Sequence, residues 1–175
     1  MLPPLANQHL YDRASEYCPG FEGQLRSDIA RLEILEQYGG VYIDVDFEPI
    51  RAIDPLLEGV ECFMAWEIQG MVANNAIIGA RPRHPFIGRL IDGLEDSITG
   101  NPGKRPSKIS GPHYVTAQLR KDGDGVKIFD RDMFYRIGCK ELSRLSEPHH
   151  PSEWARHHWN NQQRLKSMKQ GRRRR

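Results

Sequence analysis

The sequence has no apolar run of 18 residues, so no membrane-spanning helix is expected from it. Its opening stretch, MLPPLANQHLYDR, lacks the basic and apolar regions of a secretory signal. Cysteine is scarce. Cys18, Cys62 and Cys139 are scattered without a Cys-x-x-Cys pair, which excludes a disulfide framework and a cysteine zinc site. Reduced thiols in a cytosol-like compartment are the expectation. No internal repeat is present. What remains is 175 residues with 38% hydrophobic and 27% charged side chains, a globular composition that fits one domain around one core.

The net charge of +2 hides an asymmetry. Arg164, Lys166, Lys169 and Arg172 to Arg175 put seven cations at the end of the chain with no acid among them. Without them the chain carries 18 basic against 23 acidic side chains, a body near −5. A basic tail on an acidic body fits contact with nucleic acid, a membrane surface or an acidic partner, and equally a solvated, disordered end. The tail has no interleaved aromatic residues to stack on bases, so nucleic acid is not an expected partner.

Residues 1–26 are weakly patterned, with Pro3, Pro4, Pro19 and Gly20 as breakers. In SDIARLEILEQYGG the spacing predicts a helix over 27–38. Ser27 would cap it, Ile29, Leu32 and Leu35 form its apolar stripe, and Gly39-Gly40 ends it. VYIDVDF alternates strictly and reads as a strand over 41–47. Further strands are expected at 62–68, 75–80 and 126–130, with helices at 84–98 and from His113. Segment 99–112 reads as a loop. The expected class is α/β, a mostly parallel sheet flanked by helices. A domain over 27–162 is bounded by the N-terminal segment 1–26 and the tail 163–175.

Alternation directs Val41, Ile43, Val45 and Phe47 to one face, read here as the core face, and Tyr42, Asp44, Asp46 and Glu48 to the other. Asp44 and Asp46 would lie about 7 Å apart on a straight strand. Two carboxylates that close suit one hard divalent ion, Mg²⁺ or Mn²⁺, which keeps open positions for substrate phosphates. An isolated Asp-x-Asp is more often the wet face of an edge strand. Here Asp28, expected in the first helical turn, and Arg31, three residues on, precede the strand through Gly39-Gly40. Read alone, they are a capping acid with an i,i+3 salt bridge. Read together, they bring a carboxylate and a guanidinium to the strand ends where open α/β sheets bind ligands.

The run SDIARLEILEQYGGVYIDVDF resembles the signature S-D-x-x-R-x(3)-L-x(3)-G-G-x-Y-x-D-x-D of DxD-containing sugar transferases. That group includes glycosyltransferase family 32 and, more distantly, the large clostridial glucosylating toxins. Ser27, Asp28, Arg31, Leu35, Gly39, Gly40, Tyr42, Asp44 and Asp46 carry the match without a spacing error. NNAIIGARPRHPF (74–86), SGPHYVT (110–116) and WARHHW (154–159) are similar to later motifs of that family, in the same order.

The resemblance implies a GT-A-like, Rossmann-like fold and sugar transfer from a UDP- or GDP-sugar to a glycan or other acceptor, with retention of anomeric configuration. It implies Mn²⁺ or Mg²⁺ held by Asp44, Asp46 and one of the paired histidines, His158 ahead of His157, with Asp44 and Asp46 at the catalytic centre. Asp28 and Arg31 would bind donor-sugar hydroxyls, Tyr42 would lie near the donor, and Asn75 and Gly111 would shape the sugar pocket. Retention needs no dedicated general base. His84 and His113 sit beside prolines and read as turn residues, and the four histidines at 149, 150, 157 and 158 have no acid or cysteine partner at zinc-ligand spacing. Relatives carry a strand and helices ahead of the Ser-Asp motif, whereas 26 residues precede Ser27 here, so an N-terminally truncated form is expected. Asn160, Asn161 and Gln162 follow the histidines where relatives often have Ser-Trp. A sheet missing its first strand exposes an edge, which favours a homo-oligomer. A bacterial or viral host cytoplasm is the expected location. Two other readings stay open: a degenerate relative that binds nucleotide sugar or glycan without turnover, and a nucleic-acid or assembly-associated protein acting through the Arg172–Arg175 tail.

Overall fold

The computed structural model describes residues 4–160, so the expectations for the basic tail lie outside the described residues. The helix that carries the Ser-Asp motif is longer than its pattern suggested. After two short helices, α1 (Gln8–Asp12) and α2 (Ala14–Tyr17), α3 runs from Glu22 to Tyr38, entered at Phe21. Ser27 is therefore not a cap, and Asp28 lies beyond the first turn. Leu25, Ile29, Leu32 and Leu35 form its buried stripe, against which Leu10, Ala14 and Cys18 pack. The weakly patterned N-terminal stretch thus contributes to the core. Its polar spacing hid short helices held by tertiary contacts rather than by propensity.

Gly39 ends α3 at φ 65°, ψ −158°, and a Cβ there would meet Pro82 Cδ at 2.6 Å. The chain turns into β1 (Gly40–Ile43), which stops two residues short of Val45. Asp44–Val45–Asp46 is a turn, and β2 (Phe47–Pro49) belongs to a separate sheet. The single strand expected over 41–47 is therefore broken at the two carboxylates. Its faces are also reversed. Tyr42 packs on the core, whereas Val41 and Ile43 are 39% and 43% exposed and Val45 is fully so. Alternation separates two faces but does not say which one is covered.

After α4 (Asp54–Leu57) come β3 (Cys62–Ile68) and β4 (Val72–Ala80), joined by a tight hairpin at Gln69–Met71. Then follow α5 (Pro85–Asp92), α6 (Leu94–Thr99), α7 (Pro106–Ile109), α8 (Pro112–Lys121), β5 (Lys127–Phe129), α9 (Arg131–Phe134), a 3-10 turn at Leu142–Arg144 and β6 (Ala155–His157). The helix expected over 84–98 is split at Gly93, and the loop expected over 99–112 holds α7.

The main sheet has the order β1-β4-β3-β5. The α/β class with flanking helices stands. The sheet is mixed, however: β3 and β5 are parallel, while β1–β4 and β4–β3 are antiparallel. The β3–β4 pair is antiparallel because its hairpin is too short to carry the chain back for a parallel pairing, and β1 adds antiparallel on the other side of β4. One face of the sheet packs on α3, α5 and α8 around Leu32, Ile78 and Leu90. The other carries Phe63, Ile77, Phe129, Phe134, Tyr135 and Trp159. β2 and β6 pair antiparallel, with Phe47 opposite His157. No helix of the described residues is long and apolar enough to cross a membrane.

Candidate active site

Two charged residues sit on the buried stripe of α3, Asp28 at 2% exposure and Arg31 at 4%. Asp28 Oδ1 accepts from Asn75 Nδ2 at 3.0 Å and faces Arg31 Nη2 at 3.2 Å. Its Oδ2 accepts from the Ser110 hydroxyl at 2.8 Å. Burial pushes the Asp28 carboxyl above its ordinary range, against the pull of Arg31, Ser110 and Asn75. Arg31 donates to the carbonyls of Asn75 and Ser27 and to Ser27 Oγ, and reaches Asp44 Oδ1 at 3.4 Å. Its guanidinium lies 4.3 Å from the Tyr42 ring centroid. Tyr42 Oη donates to Asp44 Oδ1 at 2.7 Å. Asp28, Arg31, Tyr42, Asn75 and Asp44 therefore form one continuous network, and both α3 charges have their partners inside the chain.

Gly111 belongs to the same wall. A Cβ there would come 3.0 Å from Ser107 Cα and 3.3 Å from Asp28 Oδ2, so a side chain would crowd the turn that brings Ser110 onto Asp28. Asp44 is held by its backbone as well, its N–H donating to the Ala76 carbonyl at 2.8 Å.

Asp46 looks across to the end of the chain. Its Oδ1 lies 3.0 Å from His157 Nε2, and its Oδ2 accepts the Asn160 N–H at 2.8 Å. Burial raises the Asp46 carboxyl, but His157 and the Asn160 N–H outweigh it and hold the group below the ordinary aspartate range. The His157 ring is boxed by Phe47, Tyr135 and Trp159 at centroid distances of 4.6, 5.7 and 4.2 Å. One ligand atom each from Asp44, Asp46 and His157 lies within 4.8 Å of the others. Two hard carboxylate oxygens and an imidazole nitrogen fit a divalent ion such as Mn²⁺. His157 Nδ1 is buried without a hydrogen-bond partner, so no carbonyl or carboxylate fixes the ring from behind.

The histidine in this cluster is His157 rather than the expected His158. His158 Nε2 lies 2.9 Å from Glu48 Oε2, and His149 lies 3.3 Å from the other Glu48 oxygen. The His158 backbone N–H still ties to the Asp46 carbonyl at 2.9 Å. The acids that meet these histidines are over a hundred residues away in sequence, at separations of 111 and 110, so local spacing could not reveal them.

Two further polar residues at this edge were not singled out. Ser110 stands directly before the Gly-Pro turn, a position that could have drawn attention. Glu67, near the end of β3, accepts from Asn74 Nδ2 at 2.9 Å. The adjacent asparagines thus divide: Asn75 serves Asp28 and Asn74 serves Glu67.

A GT-A-like α/β domain with a carboxylate turn at its sheet edge defines the class. Residues 8–63 match the family model described as the glycosyltransferase sugar-binding region containing the DXD motif. The chain is similar to the DxD-containing, family-32-like glycosyltransferases. It is 41% identical over 70 residues to mannosyl phosphorylinositol ceramide synthase CSH1 of Saccharomyces cerevisiae, covering 40% of this chain and 18% of that protein. It is 29% identical over 158 residues to human alpha-1,4-N-acetylglucosaminyltransferase, covering 78% of this chain and 42% of that protein. The chain thus spans less than half the length of these curated relatives. Among solved structures, PaToxG glycosyltransferase superposes with a TM-score of 0.52 at 21% identity, over 65% of this chain and 39% of that one, a likeness of fold.

Proposed function

We propose that the chain transfers a hexose from a UDP- or GDP-sugar to a glycan or other hydroxyl-bearing acceptor, with retention and with Mn²⁺ or Mg²⁺. The observation that carries this reading is the convergence of Asp44, Asp46 and His157 at the end of a buried Asp28–Arg31–Tyr42 network. A divalent cation held by Asp44, Asp46 and His157 would supply positive charge against the diphosphate that departs. Asp44 is fixed from behind by Tyr42, Arg31 and its own N–H, which keeps its carboxylate aimed without cost at the moment of reaction. Asp46 is held ionised by His157 and Asn160 across the neutral range. Asp28 and Arg31 form the floor of the hexose site, with acceptors and donors suited to sugar hydroxyls. A sugar hydroxyl would take the place of the Ser27 or Ser110 hydroxyl as their partner. Asn75 and Gly111 hold that floor in shape.

The test is release of nucleoside diphosphate from UDP- and GDP-sugars by the purified chain with Mn²⁺. Release should require metal and fall at least about a hundredfold in Asp46→Ala, since that change removes a ligand and a charge together. Release that persists in Asp46→Ala, or a wild-type chain with neither release nor metal-dependent nucleotide binding, would overturn the reading. Binding without release would favour the degenerate relative instead.

A further inference from the structure

One carboxylate at the sheet edge has no part in the donor site described above. On β3, Trp66 pairs with Ala73 and Ile68 with Val72, so Glu67 is the extra residue of a β-bulge. A bulge bends the strand and re-aims the side chain it carries, and such irregularities collect beside active sites. β1 ends at Ile43, just before Asp44, β3 ends just after Glu67, and the two strands run the same way on either side of β4. Glu67 lies two strand spacings, about 10 Å, across the sheet from the line of β1 and about three residues further along it, since Asp44 meets Ala76 whereas Glu67 lies opposite Val72 and Ala73. The charge of Glu67 is felt on both sides of this edge, by His113 and by Tyr135, the latter also under the field of Asp44.

The carboxylate is held in a defined way. The Ala76 N–H donates to Asn74 Oδ1 at 2.8 Å, which fixes the Asn74 amide so that Nδ2 faces Glu67. Nδ2 then donates to Glu67 Oε2 at 2.9 Å. The Ala76 carbonyl in turn receives the Asp44 N–H at 2.8 Å, so one short chain of bonds links Glu67 rigidly to the Asp-x-Asp turn. Glu67 Oε1 accepts no hydrogen bond from the described residues, and Glu67 is only half-buried.

We propose that Glu67 orients the attacking hydroxyl of the acceptor by accepting its hydrogen bond on Oε1. This rests on the transferase reading above and adds the acceptor side of the same site. The hydroxyl oxygen forms its bond to the anomeric carbon as the bond from that carbon to the diphosphate oxygen breaks. The electron pair leaves with the diphosphate, and the hydroxyl proton passes along its hydrogen bond to Glu67 Oε1, which gives it up to water afterwards. Water can occupy the acceptor position, so hydrolysis of the donor reports on the same contact.

The experiment compares Glu67→Gln, Glu67→Ala and Glu67→Asp with the wild-type chain for nucleoside diphosphate release from UDP- and GDP-sugars in water. Folding is checked by thermal unfolding, and nucleotide binding with Mn²⁺ by calorimetry. In Glu67→Gln the fixed Asn74 Nδ2 holds the new amide oxygen, which turns an N–H donor toward the incoming hydroxyl. The isostere should therefore lose kcat by about tenfold or more, at least as much as Glu67→Ala, with UDP or GDP binding retained. Glu67→Asp should recover part of the rate. A residue that merely supports the bulge predicts the reverse order, with Glu67→Gln the mildest change. That order, or nucleotide binding that weakens in step with kcat, would overturn the proposal. A wild-type chain that releases no nucleotide would instead remove the transferase reading and this inference with it.

Discussion

At the residue scale the site turns on which imidazole faces the carboxylates. His157 and His158 are neighbours on a strand end and therefore point to opposite sides. His157 goes inward to Asp46, within a box of three aromatic rings, and His158 goes to Glu48 at the rim. Calorimetric titration with Mn²⁺ should show binding weakened about tenfold or more in His157→Ala and only marginally in His158→Ala. The opposite order would restore His158 as the ligand, as the sequence resemblance implies, and would require the strand end to rotate when the ion binds. The same residues show the limit of reading spacing. Asp44, Asp46, Asp28 and Arg31 were legible because they share one local motif. The partner imidazole is supplied by a segment more than a hundred residues later. Only the pairing of Phe47 with His157 selects between two adjacent histidines.

At the scale of elements, the connection from α3 to β1 does most to hold the site together. It delivers Asp28 and Arg31 from the helix and Tyr42 and Asp44 from the strand to the same place. Gly39 makes that connection possible, because its φ of 65° lies where L-residues are strained and Pro82 sits where a Cβ would go. Gly39→Ala should cost about 2 kcal/mol or more, read as a lower urea midpoint with an unchanged slope. A midpoint within experimental error of wild type would mean that the turn can be relaid without strain. This end of the helix was legible, since Gly-Gly after an apolar stripe is a strong stop. Its start was not, because Glu22, Gly23 and Gln24 carry no cap and are helical only through packing on α1 and α2. β3 was read correctly from CFMAWEI, whose buried run needs no choice of face. β1 needed that choice, and the alternation in VYIDVDF offered no basis for it. An edge strand whose Tyr42 is tied to Ser27 and Asp44 buries its aromatic side instead.

At the scale of the whole molecule, the two cores on either side of the sheet meet at the site, and their titratable groups respond to acid in opposite directions. Asp46 is partly and Glu153 fully buried, which raises them, yet His157 and Arg156 respectively pull each below its ordinary value. A carboxylate with a lowered pKa adds stability that is present above its unfolded value and is lost as pH falls through the folded one. That loss therefore lies below about pH 4. His84 and His113 are lowered by burial, so the unfolded chain takes up their protons first, and stability begins to fall below about pH 6.5. Asp28 works against both. Its carboxyl is raised by burial, so the folded state binds that proton more tightly, and its contribution grows as pH falls toward 4. Urea midpoints measured from pH 7 to pH 3 should decline gently at first and more steeply below about pH 4. Asp28→Asn should make the total acid loss larger, because it removes an opposing group and leaves only Glu36, also raised by burial, acting in that direction among the shifted carboxyls. Asp46→Asn should make the steep limb shallower. A wild-type profile flat from pH 7 to pH 3 would mean that the histidines and paired carboxylates bind protons alike in the folded and unfolded chain, and an Asp28→Asn profile shallower than wild type would mean that the buried Asp28–Arg31 pair keeps its charge at every pH. In that case Arg31 would set the protonation of the network, and burial would be the lesser effect.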